Sequence, residues 1–260
     1  MARIASGHRA GAGRSARALS VAKGGGSRVA RTAWKVFCYT LGALVIAGLA
    51  VQLWFFAHVL WWRSFQPDSS AFMETRVERL REKDPKAKLA HQWVPYERIS
   101  PQLKRAVVAS EDAKFVDHEG FDWEAISKAI EKNERKGKVV SGASTISQQL
   151  AKNLFLSGQR SWLRKGQEAV ITWMLESVLS KRRILELYLN YAEWGEGVFG
   201  AEAAARYHFG IGASALNASQ AAFLAAILPS PRRYAPGRIT PYVAGRIETI
   251  LARMPAAQIP

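Results

Sequence analysis

Two stretches hold carboxylates in settings where proton transfer or anion handling could occur. In SEDAKFVDHEG, residues 110–120, Glu111 and Asp112 end an apolar helical pattern and run into a turn closed by Gly120. A carboxylate there can face a cleft while packing holds its helix, the setting acid–base chemistry needs. Local sequence alone favours the plainer alternative of solvated surface charges. In RSWLRKGQE, residues 160–168, Glu168 follows Arg164 by four and Lys165 by three, so one carboxylate sits among cations. An exposed helical pair of this kind contributes only about 0.3–0.5 kcal/mol. The apolar run AVITWMLE that follows puts Glu168 at the edge of a core instead.

A third stretch, GASTISQQLAKN over 142–153, carries amides and a cation. Ser144 or Thr145 can cap a helix, and Gln148, three residues after Thr145, completes a capping box. Ile146, Leu150 and Leu154 recur at every fourth position as a buried stripe. Gln148, Gln149 and Lys152 share another face, where two amides and an ammonium converge, which a plain amphipathic helix does not require. A fourth, KRRILELYLN over 181–190 with Gly195, Gly197 and Gly200 beyond it, reads as structural, with Glu186 or Asn190 supporting a site from behind. His118 and His208 lie 90 residues apart and have no metal-ligand spacing, so each reads as a hydrogen-bonded structural histidine. The single cysteine, Cys38, excludes an intramolecular disulfide and a Cys-rich metal site.

The elements that must position these residues are helices. Ser100 before Pro101 is an N-cap and first-turn proline, and apolar residues follow at helical spacing. The spacing predicts helices over 69–83 and at about 123–133, 144–156, 161–178, 180–191, 199–208, 217–228 and 240–253, and predicts a mobile loop for the lysine-rich 131–140. No run shows sustained period-two alternation, so an all-β or doubly wound fold is not expected. The fold class is mainly α.

Of 260 residues 48% are hydrophobic, enough for one sizeable core and accessory segments. The net charge of +16 suits a partner bearing phosphate, pyrophosphate or acidic head groups. Residues 1–35 hold eight Lys or Arg and no acid, with few large apolar side chains over 1–32, which predicts a disordered basic tail. Residues 36–57 carry no charge, a length that spans the roughly 30 Å hydrocarbon layer. Trp34 stands before that stretch and Trp54, Trp61 and Trp62 near its far end. The basic tail predicts a single-pass segment with a cytoplasmic N-terminus and the bulk of the chain outside. The expected organisation is a tail (1–35), a membrane helix (36–57), a membrane-proximal linker and helix (58–92) and a compact domain (93–260).

In order, EDAKFVDHEG, GASTISQQLAKN, RKGQEAVITWMLE and KRRILELYLNYAEWGEGVFG resemble the successive signature motifs of the peptidoglycan glycosyltransferases, glycosyltransferase family 51. The resemblance covers roughly 93–236, and with no Ser-x-x-Lys module beyond it the match is to the monofunctional biosynthetic transglycosylases. It implies a lysozyme-like helical domain with a long cleft beside the bacterial inner membrane. Lipid II and the growing glycan chain are the substrates, and cell-division or elongation proteins the partners to expect. By the same resemblance Glu111 matches the general base and Glu168 the second essential carboxylate. Ser144, Gln148, Gln149 and Lys152 match the cleft lining. Arg160, Arg164 and Lys165 match the basic residues near the donor pyrophosphate, while Asp112, Phe115 and His118 complete the first motif, where positioning is expected more than chemistry. Glu168 either holds the cations or binds a divalent ion, magnesium or manganese, which would be optional. Gln220 stands where many relatives carry an acid, which affects a local capping detail only.

Two other functions are compatible with parts of the pattern. A lysozyme-like hydrolase or lytic transglycosylase also uses a carboxylate in a helical cleft, but it cuts an uncharged bond and needs an acid rather than a ring of cations. A tethered nucleic-acid binder would explain the basic tail. Nucleic acid is not expected as a partner, since the folded domain would lie outside the cytoplasm and has no nucleic-acid fold signature.

Overall fold

The computed structural model describes residues 12–138, 142–156 and 161–260, with side chains from Val29 onward. The chain divides into two compact units, Met1–Trp54 and Phe55–Pro260. The first is formed by most of helix α1, Ala12–Trp61. Within its segment Val29–Trp61 the most apolar 18-residue window has a mean hydropathy of 2.1, and only 11% of that window is buried. A core helix would be covered, so this one fits a single-pass membrane anchor. The tail expected to lack structure is helical from Ala12, and residues 1–11 lie outside those described. The apolar run nucleates the helix, and extending it back through this stretch costs far less than starting one, even against the glycines at 24–26.

The second unit is mainly α. Its helices are α2 Ala71–Arg81, α3 Pro101–Glu111, α4 Trp123–Lys136, α5 Ile146–Phe155, α6 Trp162–Val178, α7 Lys181–Tyr191, α8 Ala201–Phe209, α9 Ala218–Ile227 and α10 Pro241–Arg253. Most begin at a side-chain cap: Ser100 accepts from Gln102 N ahead of Pro101, and Thr145 with Gln148 and Asn217 with Gln220 form capping boxes. Gln220 thus does by hydrogen bond what an acid would do there. Helix α3 packs on α9 and α10, while α5 packs on α6, α7 and α2. The fully buried Tyr188, Tyr191, Trp194, Phe115 and Phe199 are among the largest side chains of the core.

Three features differ from expectation. A small sheet of order β1-β3-β2 pairs β1 Ala90–His91 parallel and β2 Glu193–Gly195 antiparallel to β3 Val198–Phe199. Strands this short cannot display a period. Gly200 follows at φ +85, where a Cβ would lie 2.7 Å from the Asn190 carbonyl oxygen, so this turn admits only glycine. The lysine-rich 131–140 is helical as far as Lys136, with Gly137 as a left-handed cap, and 139–141 lie outside the described residues. The compact unit also begins well before Trp93: Val59, Trp62, Met73 and Val77 are buried. Arg76 meets Glu193 through two hydrogen bonds of 2.8 and 3.0 Å, both side chains buried. Pairing across 117 residues leaves no local sign that a charged position of α2 faces inward.

Candidate active site

Glu111 is the last residue of α3, and Asp112 caps the helix. Its Oε2 accepts from Gln149 Nε2 at 3.0 Å, and Gln149 Oε1 accepts from Tyr188 Oη at 2.9 Å. Its Oε1 accepts from Ser110 Oγ at 3.2 Å. Burial raises the pKa of the Glu111 carboxyl; the Gln149 and Ser110 hydrogen bonds and the Arg246 charge oppose that rise, and Asp112 adds to it. Burial, then the charges of Glu111 and Asp112, hold the Tyr188 phenol well above its usual value, so it stays a neutral donor to Gln149.

Asp112 ties this turn to the next helix. Its carboxylate accepts from His118 Nε2 at 2.9 Å and from Ile146 N at 3.0 Å, at the start of α5. Gly120 N donates to His118 Nδ1 at 3.1 Å, so Nε2 carries the proton that goes to Asp112. Thr145 Oγ1 donates to the Gly120 carbonyl at 2.7 Å. Phe115 is fully buried, with Lys181 Nζ 4.7 Å from its ring centre. Expected among the substrate-binding residues, Phe115 has no surface to offer a ligand, because the turn folds it into the core. The Asp112 side chain is likewise buried, and that of His118 nearly so.

The exposed side of α5 forms the ridge of the site. Gln149 and Lys152 line two cavities. One, about 210 Å³, is bordered by Ser144, Gln148, Arg164, Lys165 and Glu168 as well. The other, about 480 Å³, runs past Asn153, Tyr188, Glu193, Arg232 and Arg233. Thr145, not Ser144, is the cap, and the Gln148 carbonyl oxygen accepts from Thr145 N, so Gln148 borders the cavity with part of its amide committed. Lys152 Nζ makes no hydrogen bond or ion pair among the described residues. Burial lowers the pKa of its amine; Glu168 and Glu111 raise it, and Arg164 and Lys165 lower it further.

Helix α6 supplies the cationic wall. Glu168 is only 3% exposed, with Arg164 Nη1 at 2.8 Å on one oxygen and Lys165 Nζ bonded to the other. Arg160 lies outside the described residues. Both Glu168 oxygens hold cations, and no group of three or more His, Cys, Asp or Glu converges among the described residues. That donor set does not fit a divalent ion at Glu168, which takes several oxygen ligands. The arrangement suits an anionic ligand: Arg164, Lys165 and Lys152 present positive charge beside one buried carboxylate.

Glu186 and Asn190 pin the segment ahead of α3: Glu186 Oε1 accepts from Tyr96 N, and Asn190 bonds both the N–H and the carbonyl of Val94. His208 reaches the Trp194 carbonyl at 2.9 Å, a structural contact. Sequence reasoning missed Ser110, Tyr188, Arg232, Arg233 and Arg246. The adjacent arginines after LPSP were a detectable signal, whereas Tyr188 is indistinguishable from its apolar neighbours in LELYLNY until its hydroxyl is placed.

Residues 77–255 match the family model described as Transglycosylase. Three similar relatives are each named biosynthetic peptidoglycan transglycosylase. That of Nitrosospira multiformis is 56% identical, covering 87% of this chain and 97% of the relative. That of Azoarcus sp. is 56% identical over 88% and 99%, and that of Chromobacterium violaceum 57% over 85% and 96%.

Proposed function

The chain belongs to the transglycosylase family and is a peptidoglycan glycosyltransferase, and from that premise we propose that it polymerises lipid II into β-1,4-linked glycan with release of undecaprenyl pyrophosphate. The growing chain is the donor and incoming lipid II the acceptor. Glu111 takes the proton from the acceptor GlcNAc 4-hydroxyl as that oxygen attacks the donor MurNAc anomeric carbon. The α-linked pyrophosphate leaves from the opposite face, and the new bond is β. Lys152, Arg164 and Lys165 stabilise the departing diphosphate, Arg160 completes that basic set, and Glu168 keeps Arg164 and Lys165 aimed at it.

The observation that carries this reading is the α5 ridge: Gln149 holds Glu111 at 3.0 Å, and the same ridge presents Lys152 beside the Glu168 cluster. Gln149 thereby links Glu111 to the cavity that Lys152 and the Glu168 cluster line, which supports a base working beside an anion site. A general base works best with a pKa near the working pH, and burial moves the Glu111 carboxyl in that direction. The basic N-terminal segment favours a cytoplasmic N-terminus with the enzymatic unit outside the inner membrane. The test is polymerisation of labelled lipid II by the detergent-solubilised chain and its Glu111→Gln variant. A loss of at least ~10²-fold is expected; a parental rate would remove Glu111 as the base. Release of fragments from finished glycan, with no polymer from lipid II, would favour the hydrolase alternative.

A further inference from the structure

Behind Glu111, on the side away from Gln149, stands a residue from the far end of the chain. Arg246 Nη2, on α10, donates to Ser110 Oγ at 3.0 Å, and Ser110 Oγ lies 3.2 Å from Glu111 Oε1. The same hydroxyl is 3.4 Å from the Ala225 carbonyl on α9. Arg246 has no ion pair among the described residues, and its Nε is buried without a hydrogen-bond partner. A partly buried guanidinium that has no carboxylate of its own, yet lies next to a second-hand route to one, is costly to keep for packing alone.

The hydroxyl geometry gives it a use. A serine oxygen has one proton and two lone pairs. The Arg246 N–H occupies a lone pair, which leaves the proton free to choose between Glu111 and the Ala225 carbonyl. While Glu111 is ionised the proton belongs on the carboxylate; once Glu111 has taken the substrate proton, the carbonyl is the better acceptor. We propose that Arg246 is a positioning residue for catalysis, acting through Ser110 to hold the Glu111 carboxylate ionised and aimed for proton abstraction. The inference rests on Glu111 being the base.

The titratable groups around Glu111 come from five elements. Asp112 follows it as the C-cap of α3, Lys152 stands on α5 with the Glu168 cluster of α6 beyond, Tyr188 on α7 is a neutral hydroxyl, and Arg246 on α10 opposes them from behind. Asp112 works against ionisation, and Arg246 is the cation on Glu111's own Ser110 side. Removing its charge moves the acid limb of the kcat/KM profile for lipid II to higher pH, because that limb reports ionisation of the free enzyme's base.

The experiment compares full-length parent, Arg246→Met, Arg246→Lys, Ser110→Ala and Glu111→Gln across pH with lipid II in detergent. Arg246→Met should lower kcat about tenfold near neutral pH with KM close to parental, a loss of transition-state stabilisation alone, and should shift the acid limb upward. Arg246→Lys should return the limb most of the way by restoring charge. Ser110→Ala should shift it in the same direction, and the double variant should lose less than the product of the two singles. If Arg246→Met does not fold, a shifted limb in Ser110→Ala beside a near-parental limb in Arg246→Lys carries the decision. An unmoved acid limb in Arg246→Met and Ser110→Ala, with Glu111→Gln inactive, overturns the role of Arg246. A parental rate in Glu111→Gln instead overturns the base assignment beneath it.

Discussion

At the residue scale, the site places one carboxylate in a setting that resists its charge and another in a setting saturated with opposite charge. Burial raises Glu111 above the ordinary 4.5. Between that value and the raised one the folded state holds a proton the unfolded state has lost, so this group's contribution to stability falls as pH climbs through the interval. At neutral pH the ionised Glu111 is therefore a cost carried for function. Glu111→Gln should melt higher than the parent at pH 8, by about 2–4 °C for each kcal/mol recovered. The gain should vanish as pH falls toward 4, which thermal melts at the two pH values would read. Lys152→Ala and Arg164→Ala should each lower kcat on lipid II by about 10- to 100-fold. Arg164→Ala should also weaken the fold, because it strips one of two partners from a nearly buried glutamate. Full activity in both variants would put leaving-group stabilisation elsewhere.

At the element scale, α5 is the part on which register matters most. Its N-terminus is set three times over: by the Thr145–Gln148 capping box, by Asp112 accepting from Ile146 N, and by Thr145 Oγ1 donating to Gly120. These bonds fix which residues of α5 face the cavities and so place Gln149 and Lys152. Thr145→Ala removes the cap and the bond to Gly120 together. It should cost about 1–2 kcal/mol, seen as a lower denaturant midpoint, and should reduce turnover beyond what the lost stability explains. Thr145→Ser keeps the hydroxyl and should recover most of both. A turnover unchanged in Thr145→Ala would mean that packing of Ile146, Leu150 and Leu154 alone sets the register.

On the scale of the whole molecule, the segment following the apolar helix α1 belongs to the catalytic unit. Met73 and Val77 enter the core from α2, and Arg76 neutralises Glu193, which lines the larger cavity. Arg76→Met would leave Glu193 buried without its cation, at a cost of about 3–5 kcal/mol, measurable by chemical denaturation of the solubilised chain. The paired change Arg76→Met with Glu193→Gln should be far milder than Arg76→Met alone, since the uncompensated charge is gone. An exposed, weakly coupled pair would give neither result.

The sequence by itself determined most helices of the second unit, most of their caps and the apolar run of α1, because each of these depends on residues within about one or two helical turns of one another. Ser100–Pro101, the Thr145–Gln148 box and the uncharged 36–57 run are local facts. It also displayed Glu111, Glu168 and the basic residues in motif order, though from local sequence Glu111 could as well have been a solvated charge. What only the tertiary structure decided depends on distance along the chain. Gln149 reaches Glu111 across 38 residues, Arg76 reaches Glu193 across 117, and Arg246 reaches Ser110 across 136. No periodicity encodes such pairs, because a charged or polar side chain looks the same in sequence whether it meets water or a partner brought from the other end of the fold.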